Sequence, residues 1–163
     1  MIRYICYFPI MILVGLIKYP LALIAPLFAT MQDGLVNNSN GTAVEPRLPK
    51  WLSLLQTDDN SLWGDAGHKA RVGNYKSYFG MVQWLWRNGF HNFNYVVLGC
   101  PALPMPDRFP TDYYWKRPDG YWLYRRFIPI GNRVWEFFFG WNLYGVVGGR
   151  CKYVCSIRSK QIN

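Results

Sequence analysis

The densest cluster of residues able to do chemistry lies at 57–68, Thr-Asp-Asp-Asn-Ser-Leu-Trp-Gly-Asp-Ala-Gly-His. Asp58, Asp59 and Asp65 offer hard oxygen donors of the kind that hold Ca²⁺. With His68 they would form the donor set of a metal-assisted hydrolase. The spacing departs from the twelve-residue calcium loop, and no glutamate closes it. The same residue types beside glycine also cap helices and bend the chain, by bonding nearby backbone N–H groups. That local role is the one expected here. Asp58, Asp59 and Asp65 stand as candidate metal ligands of the hydrolase alternative.

Other chemistry-bearing residues are sparse. His91 follows the end of a predicted helix, where capping or packing is expected rather than ligation. The four cysteines are Cys6, Cys100, Cys151 and Cys155. On a strand, Cys151 and Cys155 would share a face about 13 Å apart, beyond disulfide reach. Neither spacing nor neighbouring histidines make a zinc site. Free thiols are expected, and the redox compartment stays open. The chain holds no nucleophile elbow, P-loop or dinucleotide fingerprint. No enzymatic activity and no cofactor are expected.

The formal charge of +9 and pI of about 9.5 favour anionic partners, such as lipid head groups, nucleic acid or acidic proteins. The Lys and Arg residues are spread along the chain without the density of a nucleic-acid arm. A basic solvated face is therefore expected, with no specific nucleic-acid partner. Aromatic residues reach 18%. That richness fits a small β core padded with rings, a membrane-interface belt or an adhesive assembly surface.

The elements that would position these residues begin with an apolar segment, 4–30, interrupted in charge only by Lys18. It is long enough to cross about 30 Å of hydrocarbon as a helix. Pro9, Pro20 and Pro26 argue for a kinked span, or for two short helices parting near Lys18-Tyr19-Pro20. Tyr4, Ile10, Leu13, Leu16, Leu21, Ile24 and Leu27 are the candidate anchor residues. Leu27-Phe28-Ala29 is a poor signal-cleavage tripeptide, with Leu at its outer position and Pro26 nearby, so the segment is expected to be retained. Burial by protein in a large assembly would hide the same side chains. If the segment spans, the excess of Lys and Arg after it puts the remainder of the chain in the cytoplasm.

Residues 31–46 are polar and aperiodic and read as a linker, leaving 1–30 as the anchor and 47–163 as one small aromatic-rich domain. Within it, 47–57 suggests a short interfacial or surface helix, with Arg47 and Lys50 at head-group level. Residues 74–91 suggest an amphipathic helix facing inward through Tyr75, Tyr78, Phe79, Val82, Leu85 and Trp86, ended by Asn88-Gly89. Five prolines make 100–119 an extended loop. Tyr121–Ile128, Arg133–Phe139 and Cys151–Arg158 form an antiparallel meander, with Gly131-Asn132 as a hairpin turn. Trp122 and Tyr124 share one face, as do Trp135, Phe137 and Phe139 on the next strand, and these five are the candidate interface. The helix at 74–88 or another subunit would cover the sheet. The fold class is α+β.

Four stretches carry a family resemblance: Ala25-Pro26-Leu27-Phe28-Ala29, Leu48-Pro49-Lys50-Trp51-Leu52, Gln56 to Asp65, and Trp84-Leu85-Trp86-Arg87-Asn88. Over most of residues 20–99 the chain resembles a family of small tailed-bacteriophage proteins. The resemblance brings no activity. It implies a viral setting, in which an oligomeric structural or assembly protein, virion- or tail-associated, is the function expected. Its partners would be other phage structural proteins and the host membrane. An alternative is a phage-encoded protein of the host inner membrane, acting in lysis or superinfection exclusion.

Overall fold

The computed structural model describes residues 2–33, 44–56, 61–103 and 113–161. Helix α1 runs Ile2–Ile24 and passes directly into a 3₁₀ turn, Ala25–Phe28. It is continuous through Pro9 and Pro20, so the two-helix alternative parting at Lys18–Pro20 is not what forms. A proline removes one helical hydrogen bond, and the bonds around it persist. The α-helix ends instead before Pro26, which sits in the first turn of the 3₁₀ segment, where its missing N–H costs nothing.

Two compact units are built, Met1–Tyr7 with Asn94–Asn163, and Phe8–Phe93. This grouping crosses the expected boundaries at 30 and 46, because the start of α1 belongs with the C-terminal half. The two ends of the stretch read as a linker, 31–33 and 44–46, lie in strands, while 34–43 fall outside the described residues. β1 (Thr30–Asp33) pairs antiparallel with β2 (Val44–Arg47). Each strand is four residues long, and Pro46 lies within β2, so neither shows an alternating pattern. Arg47 is buried there, not at a surface, while Lys50–Leu55 forms a 3₁₀ helix.

The core of the Phe8–Phe93 unit gathers Ala22 and Ala25 with Leu48, Leu55, Leu62, Trp84 and Leu85. Small residues at 22 and 25 let the end of α1 approach closely. Helix α2 spans Ala66–Arg71 and α3 spans Tyr78–Asn88. Helix α3 starts later than the periodicity suggests, because the Ser77 hydroxyl accepts from Gly80 N–H at 3.1 Å and caps it. Its buried face is Gly80, Val82, Trp84 and Leu85. Phe79 and Trp86, expected inside, are exposed. Gly80 is required by packing: a Cβ there would meet the Asn74 and Tyr75 carbonyl oxygens at 2.6 Å. Trp86 donates through Nε1 to the Tyr19 carbonyl at 3.1 Å, and Tyr78 donates to that of Leu23, so both rings bind α1 from the rim. After Gly89, Phe90 adopts φ +61° and α4 follows over His91–Val96.

The other unit holds a five-strand antiparallel sheet in the order β3-β7-β6-β5-β4. Its strands are β3 (Cys100–Pro101), β4 (Tyr113–Lys116), β5 (Trp122–Ile130), β6 (Arg133–Val147) and β7 (Arg150–Gln161). The meander β5-β6-β7 is the one expected, though longer. Gly131-Asn132 makes the first turn, and Gly148-Gly149, both at positive φ, makes the second. The outer strands β3 and β4 come from the stretch read as loop. Pro101 is accommodated because β3 is an edge strand. The architecture is α+β: a long apolar N-terminal helix, a helical stretch interrupted at Gly89-Phe90, and a C-terminal antiparallel sheet.

Candidate functional site

Of the anchor residues, Ile10, Leu13, Leu16, Ile24 and Leu27 are exposed, while Tyr4 and Leu21 are half-buried. Only 17% of the apolar stretch within Ile2–Phe28 is buried. A core helix of that length would be mostly covered, so this one carries an apolar side that the described residues leave open.

Its first turn is held firmly. The Tyr4 ring stacks on Tyr153 at 4.8 Å and lies 4.9 Å from Trp122 and 5.8 Å from Trp141. The Tyr4 hydroxyl donates to the Val154 carbonyl at 3.1 Å, and the Tyr153 hydroxyl donates to the Tyr4 carbonyl at 3.3 Å. Burial is the main cause that pushes the Tyr153 phenol up to about 12, so it stays a donor at neutral pH. Trp141 donates from Nε1 to the Leu98 carbonyl at 2.8 Å, which fixes its ring under the cluster.

The candidate interface residues divide. Trp122 joins the Tyr4 cluster. The others form a half-buried row, in which Trp135 opposes Ile128, Phe137 opposes Arg126, and Phe139 stacks on Tyr124 at 6.4 Å. Such a row suits a contact surface, since aromatic rings bring large area at low entropic cost.

A cleft of about 450 Å³ opens beside the aromatic cluster, lined by Ile2, Arg3, Asp119, Gly120, Tyr121 and Trp141. The Arg3 guanidinium lies over the Tyr121 ring at 5.0 Å and that of Arg117 at 5.5 Å. Arg117 is almost wholly buried. It donates to the Pro101 carbonyl at 2.7 Å, pairs with Asp119, and reaches the Cys100 sulfur at 3.7 Å. Behind it, Cys100 and Cys151 stand directly opposite each other on β3 and β7, both buried. Sequence reasoning missed this corner, because Cys100 sat in a stretch read as loop and its partner lay far along the chain.

The acidic cluster resolves differently. Asp65 caps α2, its Oδ1 accepting from His68 N–H at 2.6 Å, and it lies 3.9 Å from the Arg87 guanidinium. His68 is buried, with Nε2 at 3.1 Å from the Gly80 carbonyl and its ring against Trp84 at 5.2 Å. A carbonyl only accepts, so this contact requires the Nε2–H tautomer. Asp65 therefore acts as a helix cap, and His68 as a packed ring. Asp58 and Asp59 lie outside the described residues. Among the described residues no group of three or more His, Cys, Asp or Glu is placed to hold a metal ion.

These features define an α+β protein with a largely uncovered apolar N-terminal helix and an aromatic antiparallel sheet. The family model described as Family of unknown function (DUF7338) matches residues 1–158, so the chain belongs to that family. No curated protein and no solved structure matches it.

Proposed function

We propose that this is a non-catalytic, membrane-attached assembly protein whose α1 lies in the plane of the bilayer surface and whose sheet carries the contact surface. The packing of Tyr4 on Tyr153 carries this reading. A single crossing by α1 would place every later residue on one side of the bilayer. Tyr4, at the start of the helix, would be left on the other side, about 30 Å away. It would then be out of reach of Tyr153, Trp122 and Trp141. A helix lying flat keeps both its packed start and its open apolar side. Tyr4 and Tyr7 pack within the unit that holds the sheet, and Ala22 and Ala25 pack within the Phe8–Phe93 unit. The exposed Ile10, Leu13 and Leu16 supply the lipid-facing positions. The basic net charge favours anionic head groups.

In the tailed-phage setting that the sequence resemblance suggests, the protein serves as a virion or tail component that meets the host membrane during infection. The half-buried aromatic row on β5 and β6 favours that placement, since it offers other subunits a surface. The rival placement is the inner membrane of the infected cell.

The test is topology. Tags at the two termini of the full chain, probed in spheroplasts and in inverted vesicles, are expected on the same side of the membrane. Tags on opposite sides would establish a crossing and overturn the flat arrangement. Full recovery in the soluble fraction without detergent would remove the lipid reading. Mass spectrometry of purified phage particles then decides the placement, and absence from them selects the infected-cell membrane.

A further inference from the structure

We infer that Cys100 and Cys151 are a cross-strand disulfide site, a dithiol whose oxidation pins the edge strand β3 to β7. Residues directly opposite in an antiparallel pair have Cα atoms about 4.5–5.5 Å apart. A disulfide requires roughly 4.4–6.8 Å, so the directly opposed Cys100 and Cys151 fall within its Cα range. Both side chains are buried, and directly opposed residues of an antiparallel pair lie on the same face of the sheet. Neither other cysteine has such a partner: Cys155 opposes Phe139 in the sheet, and Cys6 is exposed on α1.

The surroundings favour attack by one thiolate. The hydrogen bond from Cys100, and then the Arg117 guanidinium, bring the Cys151 thiol down to about 7, against burial and Asp119. Its partner is pushed the other way: donating that hydrogen bond, and burial, raise the Cys100 thiol. The pair therefore gives up one proton readily and the second with difficulty. Access comes through β3 itself. It is two residues long, lies at the sheet edge, and includes Pro101, which has no N–H to donate. Such an edge opens more easily than the interior strands.

With glutathione disulfide as oxidant the reaction balances. The Cys151 thiolate attacks one glutathione sulfur, forming a mixed disulfide and expelling a glutathione thiolate. Cys100 loses its proton and attacks the Cys151 sulfur, which expels the second glutathione thiolate. The protein gives up two electrons and two protons in all, and the oxidant becomes two glutathione thiols.

The experiment incubates the full native chain with glutathione disulfide, alkylates the remaining thiols under denaturing conditions, and maps the peptides by mass. Two of the four cysteines are expected to be lost to alkylation. They should appear as a Cys100–Cys151 cross-linked peptide that a dithiol reductant reverses. The Cys100→Ser variant should stop at a Cys151–glutathione adduct, since the resolving thiol is gone. Should that variant not fold, the wild-type peptide map decides alone. Alkylation of all four cysteines, a Cys151–Cys155 link, or a glutathione adduct persisting on the wild-type chain would each overturn the assignment.

Discussion

Asp65 and His68 stand three residues apart in sequence, whereas Cys100 and Cys151 meet only where β3 crosses to β7. The first pair looks chemical in sequence and is structurally occupied: the carboxylate holds a helix end and the imidazole fills a gap against Trp84. The second pair looks inert in sequence, yet it places two thiols beside a buried guanidinium. Nearness along a chain rich in Asp, Asn and Gly is mostly spent on local backbone bonds. Groups that a sheet brings together from distant segments have no such local claim on them.

The largest effect expected on this contrast comes from His68→Ala. It removes a buried ring and leaves the Gly80 carbonyl without its donor. The cost should be about 3 kcal/mol, read from the urea midpoint. A loss near zero would mean that the ring is not packed as described, and would return His68 to the list of free chemical groups.

Next comes Arg117→Met, which leaves Asp119 without its cation and the Pro101 carbonyl without a donor. Because Asp119 is 40% exposed, water repairs part of the damage. About 2 kcal/mol should be lost, below the range for fully buried pairs. The electrostatic consequence is more specific. Arg117 lowers the Cys151 thiol and Asp119 raises it. The ultraviolet thiolate absorbance of the wild type, minus that of Cys151→Ser, should rise as pH increases through about 7. Arg117→Met should move that rise to higher pH, and Asp119→Asn to lower pH. Shifts of one sign in both variants would break the claim that these charges act on the thiol.

How much of this was legible depends on the range of the interaction. The meander β5-β6-β7 was readable because aromatic and β-branched residues alternate between Gly-Asn and Gly-Gly turns. The apolar α1 was readable from composition, and a capping role somewhere in 57–68 from residue types, while only the structure places it at Asp65. The start of α3 was misplaced because Ser77 takes the first turn, a local bond that an apolar period does not register. The strands β1 to β4 were missed since each is four residues or fewer and two contain proline. β3 exists through its pairing with β7, about fifty positions along the chain, while β1, β2 and β4 pair with near neighbours in sequence but are too short to leave a periodic trace. Tyr4 was placed on the anchor by hydropathy, and its role as the residue that ties α1 to the sheet follows from contacts some 150 positions away.

The smallest effect is expected at Asp65, and it sharpens the contrast by separating a cap from a ligand. A cap needs a short side chain with an oxygen acceptor, so Asp65→Asn should cost a few tenths of a kcal/mol and Asp65→Ala about 1 kcal/mol. The salt link to Arg87 adds little, since both partners are over two-fifths exposed. A metal ligand would behave otherwise. Asn and Ala would both abolish a divalent-cation effect on the melting temperature that the wild type shows. Near-retention in Asn, loss in Ala and no response to Ca²⁺ or chelator in any of the three would leave Asp65 as a helix cap. A Ca²⁺-dependent rise in the wild type, lost in both variants, would instead make it a binding residue and erase the difference between the two corners.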